Sequence, residues 1–370
     1  MESKQAPAAS SAADKALELR DQALAVLDEG DPSRALGLTR QGLATLEAAG
    51  LRGGLDESAV LVAHAEIEES LDRFDDARAT IATALALLQG TLADNADHDS
   101  LTLWCQAQER LAGLERLAGD FTGAAARLLS ALDRASATLG EASLSVVSLA
   151  NALGMVYKYA SDFAAAESAY QRAVSAAASL TDGDPLLEAA LLHNLGGLAH
   201  SRGDAATGIP LAERGLELRS EALGPDHPDV ARDLNALGAL YHLAGRSAEA
   251  ERSYRQALAV FEESYGPGHF EVAMTAANLA VLQGDQGDFA QAEALGRRSL
   301  EILTAVLGPQ DAEVGLTLVN LAEAVSGQGR QAEAAELADQ AAAILADRLP
   351  AGHPHLVAVA GALERYRRPA

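Results

Sequence analysis

The chain has 370 residues, a formal charge of −25 and an isoelectric point near 4.6. A surface this acidic argues against nucleic acid, whose phosphates need basic protein, and against docking on anionic membranes, while keeping a long molecule soluble. Apolar residues make up 49% and aromatic residues only 4%, a balance that favours closely packed helices over a sheet. Lys4, Lys15 and Lys158 are the only lysines, and arginine carries the remaining positive charge. With the Ala, Gly, Asp and Leu bias, this suggests a bacterial gene of high GC content. The single cysteine, Cys105, excludes an internal disulfide, and beside Trp104 in an apolar helical pattern it is expected to be buried and inert. No basic segment followed by an apolar run opens the chain and no stretch approaches a membrane span, so a cytoplasmic protein is expected.

In chain order, Met1 to Ala13, rich in Ser, Ala and Pro, is expected to be a disordered tail. Asp31-Pro32 then places an N-cap carboxylate before a proline suited to the first helical position. Asp31 and Arg73 are 42 residues apart, whereas Arg73 and Asp120 are 47 apart; the extra five residues are expected as a longer loop within Gly90 to Ser100. From Asp120 onward the period is 42 without a gap, through Asp162, Asp204, Arg246, Asp288 and Arg330. The segments LGMVYKYASDF, LGGLAHSRGDA, LGALYHLAGRS, LAVLQGDQGDF and LAEAVSGQGRQ, starting at Leu153, Leu195, Leu237, Leu279 and Leu321, keep the same period.

Such self-similarity is the mark of a repeat architecture. Within each unit the apolar spacing is helical, and the unit divides at its Gly-Asp or Gly-Arg turn. Pro228 to Ala244 is predicted as a helix A and Ser247 to Ser264 as its helix B. Asp288 and Gln291 have the spacing of a capping box. Gly208 and Pro210 lie early in a helix B, where a proline removes a hydrogen bond, so a late start or a kink is predicted. LGPDHPDVA, YGPGHFEVA, LGPQDAEVG and LPAGHPHLV link units: glycine ends helix B and proline helps start the next helix A.

Small residues recur where helices must touch: Gly154, Gly196, Gly238, Ala280 and Ala322 on helices A, and Ala77, Ala124, Ala166, Ala250, Ala292 and Ala334 on helices B. Tyr157, Tyr241, Tyr170 and Tyr254 are expected to fill the space between hairpins. This pattern resembles the tetratricopeptide repeat (TPR), and the 42-residue period with its L-G-x-x-H-P linker resembles the kinesin-light-chain subclass. The resemblance implies an all-α, right-handed superhelical solenoid of about eight helical hairpins plus a C-terminal capping helix. The expected units are 14–50, 56–92, 99–140, 143–182, 185–224, 228–266, 270–308 and 312–350, with the cap at 354–368.

The resemblance also places helices A on the concave surface, where a partner segment is received, and helical spacing then selects the groove residues. They are Asn151, Met155 and Lys158; His193, Asn194 and His200; Arg232, Asn235 and His242; and Met274, Asn278 and Asn320. Because Lys158 and Arg232 stand there with almost no carboxylate, an acidic protein or peptide is a candidate occupant, its backbone met by asparagine amides. His193, His200 and His242 are too widely spaced for a metal site to be the first expectation: successive helices are about 8–10 Å apart, whereas a metal–nitrogen bond is about 2 Å. No metal, cofactor or catalytic group is therefore assigned. Carboxylate pairs such as Glu66 with Glu69 are expected on solvated faces. Adaptor, regulatory subunit and peptide-sensing receptor are the readings kept, with an enzyme or a metal-binding protein the remote alternative. Similar bacterial repeat proteins accompany proteases or signalling NTPases, so such an effector is expected in trans, and a homodimer is left open.

Overall fold

The computed structural model describes residues 6–94, 97–181, 183–348 and 354–367, and within them the chain is helical with no strand. The helices are α1 (Ala6–Asp28), α2 (Pro32–Ala48), α3 (Leu55–Ser70), α4 (Phe74–Asp94), α5 (His98–Leu117), α6 (Phe121–Leu139), α7 (Leu144–Tyr159) and α8 (Phe163–Ala178). They continue as α9 (Pro185–Ser201), α10 (Ala205–Leu223), α11 (Pro228–Leu243), α12 (Ser247–Tyr265), α13 (Phe270–Asp285), α14 (Phe289–Leu307), α15 (Ala312–Gly327), α16 (Gln331–Arg348) and α17 (Pro354–Tyr366). Odd-numbered helices are the A helices and even-numbered ones the B helices. The chain forms two compact units, residues 1–183 and 184–370.

Each unit is a stack of antiparallel hairpins. A helix packs on its own B partner, B on the next A, and A also directly on the next A. Among the described residues no B helix has Cα atoms within 8 Å of the next B helix. Each stack therefore bends with its A helices on the inner side. The reason lies in the small residues. A Cβ on Gly154 would stand 2.5 Å from the Tyr170 ring, and one on Gly238 2.7 Å from the Tyr254 ring. In the hairpin between them Ala212 replaces the tyrosine, and a Cβ on Gly196 would be 3.5 Å away. Ala77, Ala124, Ala166, Ala250, Ala292 and Ala334 are all buried. In the second unit Leu234, Phe261, Ile302 and Leu318 belong to one apolar cluster spanning three hairpins, so burial comes from stacking rather than from any hairpin alone.

The turn inside each hairpin needs a left-handed residue just before the helix-B cap. Gly119 takes it with φ 81°, and Ser161 (φ 61°) and Asp72 (φ 57°) adopt it without glycine. Asp31, Asp120, Asp162, Asp204 and Asp288 then accept backbone N–H bonds as N-caps, whereas Arg246 gives no side-chain cap. His227 and His269 of the linkers have a role the sequence reading missed. Their Nδ1 atoms accept from the N–H groups of Asp229 and Glu271, capping α11 and α13.

Several expectations are corrected. Residues 6–13 of the expected tail are helical, because the alanine-rich segment continues α1 toward the N-terminus; residues 1–5 lie outside the described residues. Around the expected longer loop the helices are lengthened instead: α4 has 21 residues against 19 in α12, and α5 has 20 against 16 in α13; residues 95 and 96 lie outside the described residues. Pro210 neither delays α10, which starts at Ala205, nor ends it before Leu223. Ala206 and Pro210 are both exposed, so the carbonyl deprived of its amide faces solvent, while buried Gly208 and Ile209 anchor the turn. Gln291 completes its box differently, donating to the Asp288 carboxylate at 2.8 Å, while the Asp288 N–H goes to Gln283.

Candidate partner-binding surfaces

In the second unit most of the selected groove residues tie consecutive hairpins together. His193 donates from Nδ1 to Asp233 at 2.7 Å, and Arg219 donates to the other oxygen of the same carboxylate at 2.7 Å. Asp233 is only 3% exposed, so this is a buried charge satisfied by two cationic or polar donors. Arg232 donates to Glu271 at 2.9 Å and also pairs with Asp229. His242 stands 2.8 Å from Asp285 through Nε2, and the Asn278 amide donates to Asn235 at 3.2 Å. The expectation of a groove with almost no carboxylate is thus overturned here. Acids sitting beside or one repeat beyond the basic residues, outside the helical positions selected from sequence, reach across and neutralise them. His200, His242, Asn278 and Tyr254 line one depression of about 310 Å³, whereas His193 is turned to Asp233, so the three rings do not converge. Met274 packs against the core of α11 to α14, and Asn320 is exposed.

The first unit differs. Asn151, Met155 and Lys158 lie on one face of α7, at four- and three-residue steps. The Lys158 ammonium lies 5.3 Å from the Tyr159 ring centroid, and the Arg116 guanidinium lies 4.8 Å from the same centroid. Among the described residues neither cation has a carboxylate within 4.0 Å. Burial, and then the charge of Arg116, hold Lys158 below the usual lysine pKa. Tyr159 and Leu117, the residues after these cations, are each 56% exposed. A Gly119 turn fixes the end of α5, with Gly119 N–H donating to Arg116 and Asp120 N–H to Glu115. Arg116 was missed from sequence, although it stands one 42-residue period before Lys158.

Arg116 of this ledge also lines a cavity of about 610 Å³ on the inner side of the first unit, to which α1, α3, α5, α6 and α7 contribute. Of the selected groove residues, Met155 lines it. Glu66 and Glu69 also line it and are not on a solvated face: both bind Arg110, at 2.7 and 3.1 Å. Burial pushes the Glu69 carboxyl upward, with Arg110 opposing.

Other chemistry-bearing groups are structural. Thr39 Oγ1 lies 2.7 Å from His64 Nδ1, and His64 Nε2 lies 3.6 Å from Glu68. The order imitates a nucleophile relay, but Thr39 is fully buried and no substrate can reach it. Cys105 is buried, and burial pushes its thiol pKa up to about 11, so it is a poor nucleophile. Among the described residues no helix is long and apolar enough to cross a membrane.

The family model described as tetratricopeptide repeat matches residues 105–179, 187–263, 248–305 and 271–347. Among solved structures, the apo form of the quorum sensor NprR from B. thuringiensis is 13% identical with a TM-score of 0.62, covering 89% of this chain and 87% of that one. The apo form of RapI is 14% identical at TM-score 0.56, covering 79% of this chain and 77% of that one. BtubC (BKLC) from P. vanneervenii is 24% identical at TM-score 0.51, covering 61% of this chain and 89% of that one. These likenesses show a shared fold. No curated protein matches the sequence.

Proposed function

Because the chain belongs to the tetratricopeptide repeat family, we propose that it is a non-catalytic adaptor or regulatory subunit that grips a segment of another protein, with Arg116, Tyr159 and Lys158 receiving the partner's acidic side chains. The observation that carries this reading is a pair of uncompensated cations around an exposed aromatic ring, in a chain of charge −25. An incoming carboxylate would relieve the repulsion between the two cations and gain charge-assisted hydrogen bonds. Asn151 and Met155, on the same face of α7, would extend the contact along the segment. Of the other selected residues, His193, Arg232, Asn235, His242, Met274 and Asn278 mainly hold the inner face of the second unit in shape, and Asn194, His200 and Asn320 are further candidate contacts. An effector such as a protease or signalling NTPase would be supplied in trans, in the cytoplasm.

The test is capture of partners from a native lysate by the wild type, by Arg116→Glu/Lys158→Glu and by Arg232→Ala. A partner held by the wild type and Arg232→Ala but lost by the double reversal supports the reading. Equal capture by all three sinks it and moves attention to the outer faces and the ends.

A ligand-responsive receptor is the second reading, favoured by the inner cavity of about 610 Å³, a volume within the usual range for ligand sites. NprR, a quorum sensor, shares the fold. A saturable change in small-angle scattering on adding one short peptide would separate a receptor from an adaptor.

A further inference from the structure

The lining of the first unit's inner cavity includes two charged groups that the fold leaves unanswered, Arg116 and, two helical turns before it on α5, Glu109. Glu109 lines the cavity with no hydrogen bond and no ion pair among the described residues. Its immediate neighbour Arg110 is already held by Glu66 and Glu69, and on the far wall Asp21 is held by Arg20. The lining thus carries four carboxylates, Asp21, Glu66, Glu69 and Glu109, against three guanidiniums, Arg20, Arg110 and Arg116; Arg20 is taken up by Asp21 and Arg116 stands two helical turns away, so the end of the cavity at Glu109 is net acidic and attracts a cation. Between these charges the lining is mostly apolar, with Leu24, Val62, Leu103, Met155 and Val156, and Gln106 as the uncharged polar side chain. Burial pushes the Glu109 carboxyl above its ordinary pKa, with Arg110 only partly opposing; a carboxylate in that state gains most from a partner that brings its own charge.

We propose that this cavity is a binding site for the arginine or lysine side chain of a partner polypeptide, its aliphatic stem against Leu24, Leu103 and Met155 and its charged head on Glu109. Stem and head match the two characters of such a side chain. The volume is too large for one side chain alone and accommodates its flanking residues, which is why a polypeptide rather than a small free amine is the fitting occupant. Glu109 and Arg116 are seven residues apart on one helix, about 10 Å along its axis, or roughly three residues of extended chain. A segment with a basic residue about three positions from an acidic one would satisfy both.

Three methionines, Met1, Met155 and Met274, make the test specific, since Met155 lines the cavity and Met274 lies in the other unit. With ¹³C-methyl methionine in the full chain, acetyl-Leu-Arg-Leu-amide is titrated against its neutral citrulline counterpart. The expected result is a saturable shift of the Met155 methyl, with the arginine peptide binding about tenfold tighter, which corresponds to about 1.4 kcal/mol. Glu109→Gln should abolish that preference while leaving the helical circular dichroism unchanged, and Lys158→Glu, outside the cavity lining, should retain it. No Met155 response, no preference for arginine, or the same preference in Glu109→Gln would each overturn the proposal. Failure here with loss of partner capture in the double reversal leaves the acidic-segment reading standing, and the converse also holds.

Discussion

The two units use the same hairpin and the same inner-face positions, yet they pair the charges there to different extents: the first pairs Arg110 with Glu66 and Glu69 but leaves others open. In the second, His193, Arg232 and His242 are each answered by an acid, namely Asp233, Glu271 and Asp285. In the first, Arg116, Lys158 and Glu109 remain unanswered, and the first two crowd one tyrosine ring. Both arrangements keep hairpins stacked, so stacking does not require the inner-face charges to be paired. Polar groups that are paired hold the fold; polar groups left unpaired are available to something else. That difference moves the expected binding surface away from most of the residues that sequence pattern selects.

The strongest way to break the comparison is to remove a paired group and an unpaired one. Asp233→Ala leaves the part-buried Arg219 and His193 without their acceptor, and a loss of about 3–5 kcal/mol is expected. Glu109→Gln should cost nothing measurable, since it removes a part-buried charge with no partner. Urea unfolding of the full chain, with hydrogen exchange of the α9 and α11 amides, reads both. Comparable losses would erase the distinction between the units.

Packing gives the next largest effect. Gly154→Ala and Gly238→Ala drive a methyl into the Tyr170 and Tyr254 rings, with an expected loss of about 1–3 kcal/mol. Gly196→Ala meets Ala212 at 3.5 Å and the Gly208 carbonyl at 3.7 Å, both ordinary contacts, and should be neutral or stabilising, since alanine favours helix by about 0.5–1 kcal/mol. Thermal melts of the three variants decide it, and equal destabilisation would contradict the packing described.

A pH effect is expected from His64 in the first unit. Burial holds His64 below its unfolded value of 6.5, against the opposing charge of Glu68. The unfolded chain then binds the proton more readily, so this contribution is present above about pH 6.5 and lost as pH falls. Denaturant midpoints between pH 7.5 and 5.5 should drop in the wild type, and less in His64→Gln; an unchanged slope in the variant would assign the effect elsewhere. The smallest change is Arg232→Ala. Its pairs with Asp229 and Glu271 are largely solvated, and a loss of under about 1 kcal/mol is expected by the same measurement.

Sequence legibility follows the range of the interactions. Pro228–Leu243 and Ser247–Tyr265 lie within one residue of their predicted ends, because glycine, proline and capping residues act on their own turn. The contact between Gly154 and Tyr170 was readable as a small residue opposite a large one recurring at a fixed period. Of the positions selected by helical spacing, Met155 lines the first unit's cavity. That spacing missed Arg116 and Glu109, since nothing local marks a charge as lacking a partner.

By itself the sequence determined the repeat, its period, its turns and its all-helical stack, since each depends on residues a few positions apart or on a strict 42-residue recurrence. Tertiary structure decided which charges are spent and which are free. Asp233 meets His193 across 40 residues and Asp285 meets His242 across 43, off the repeat period, so one side chain's direction settles whether a basic residue is available. Tertiary structure also decided Pro210, where burial of the neighbouring Gly208 and Ile209 outweighs a missing backbone bond. Pairing and burial are sums over neighbours from several hairpins, and those neighbours exist only once the hairpins have stacked.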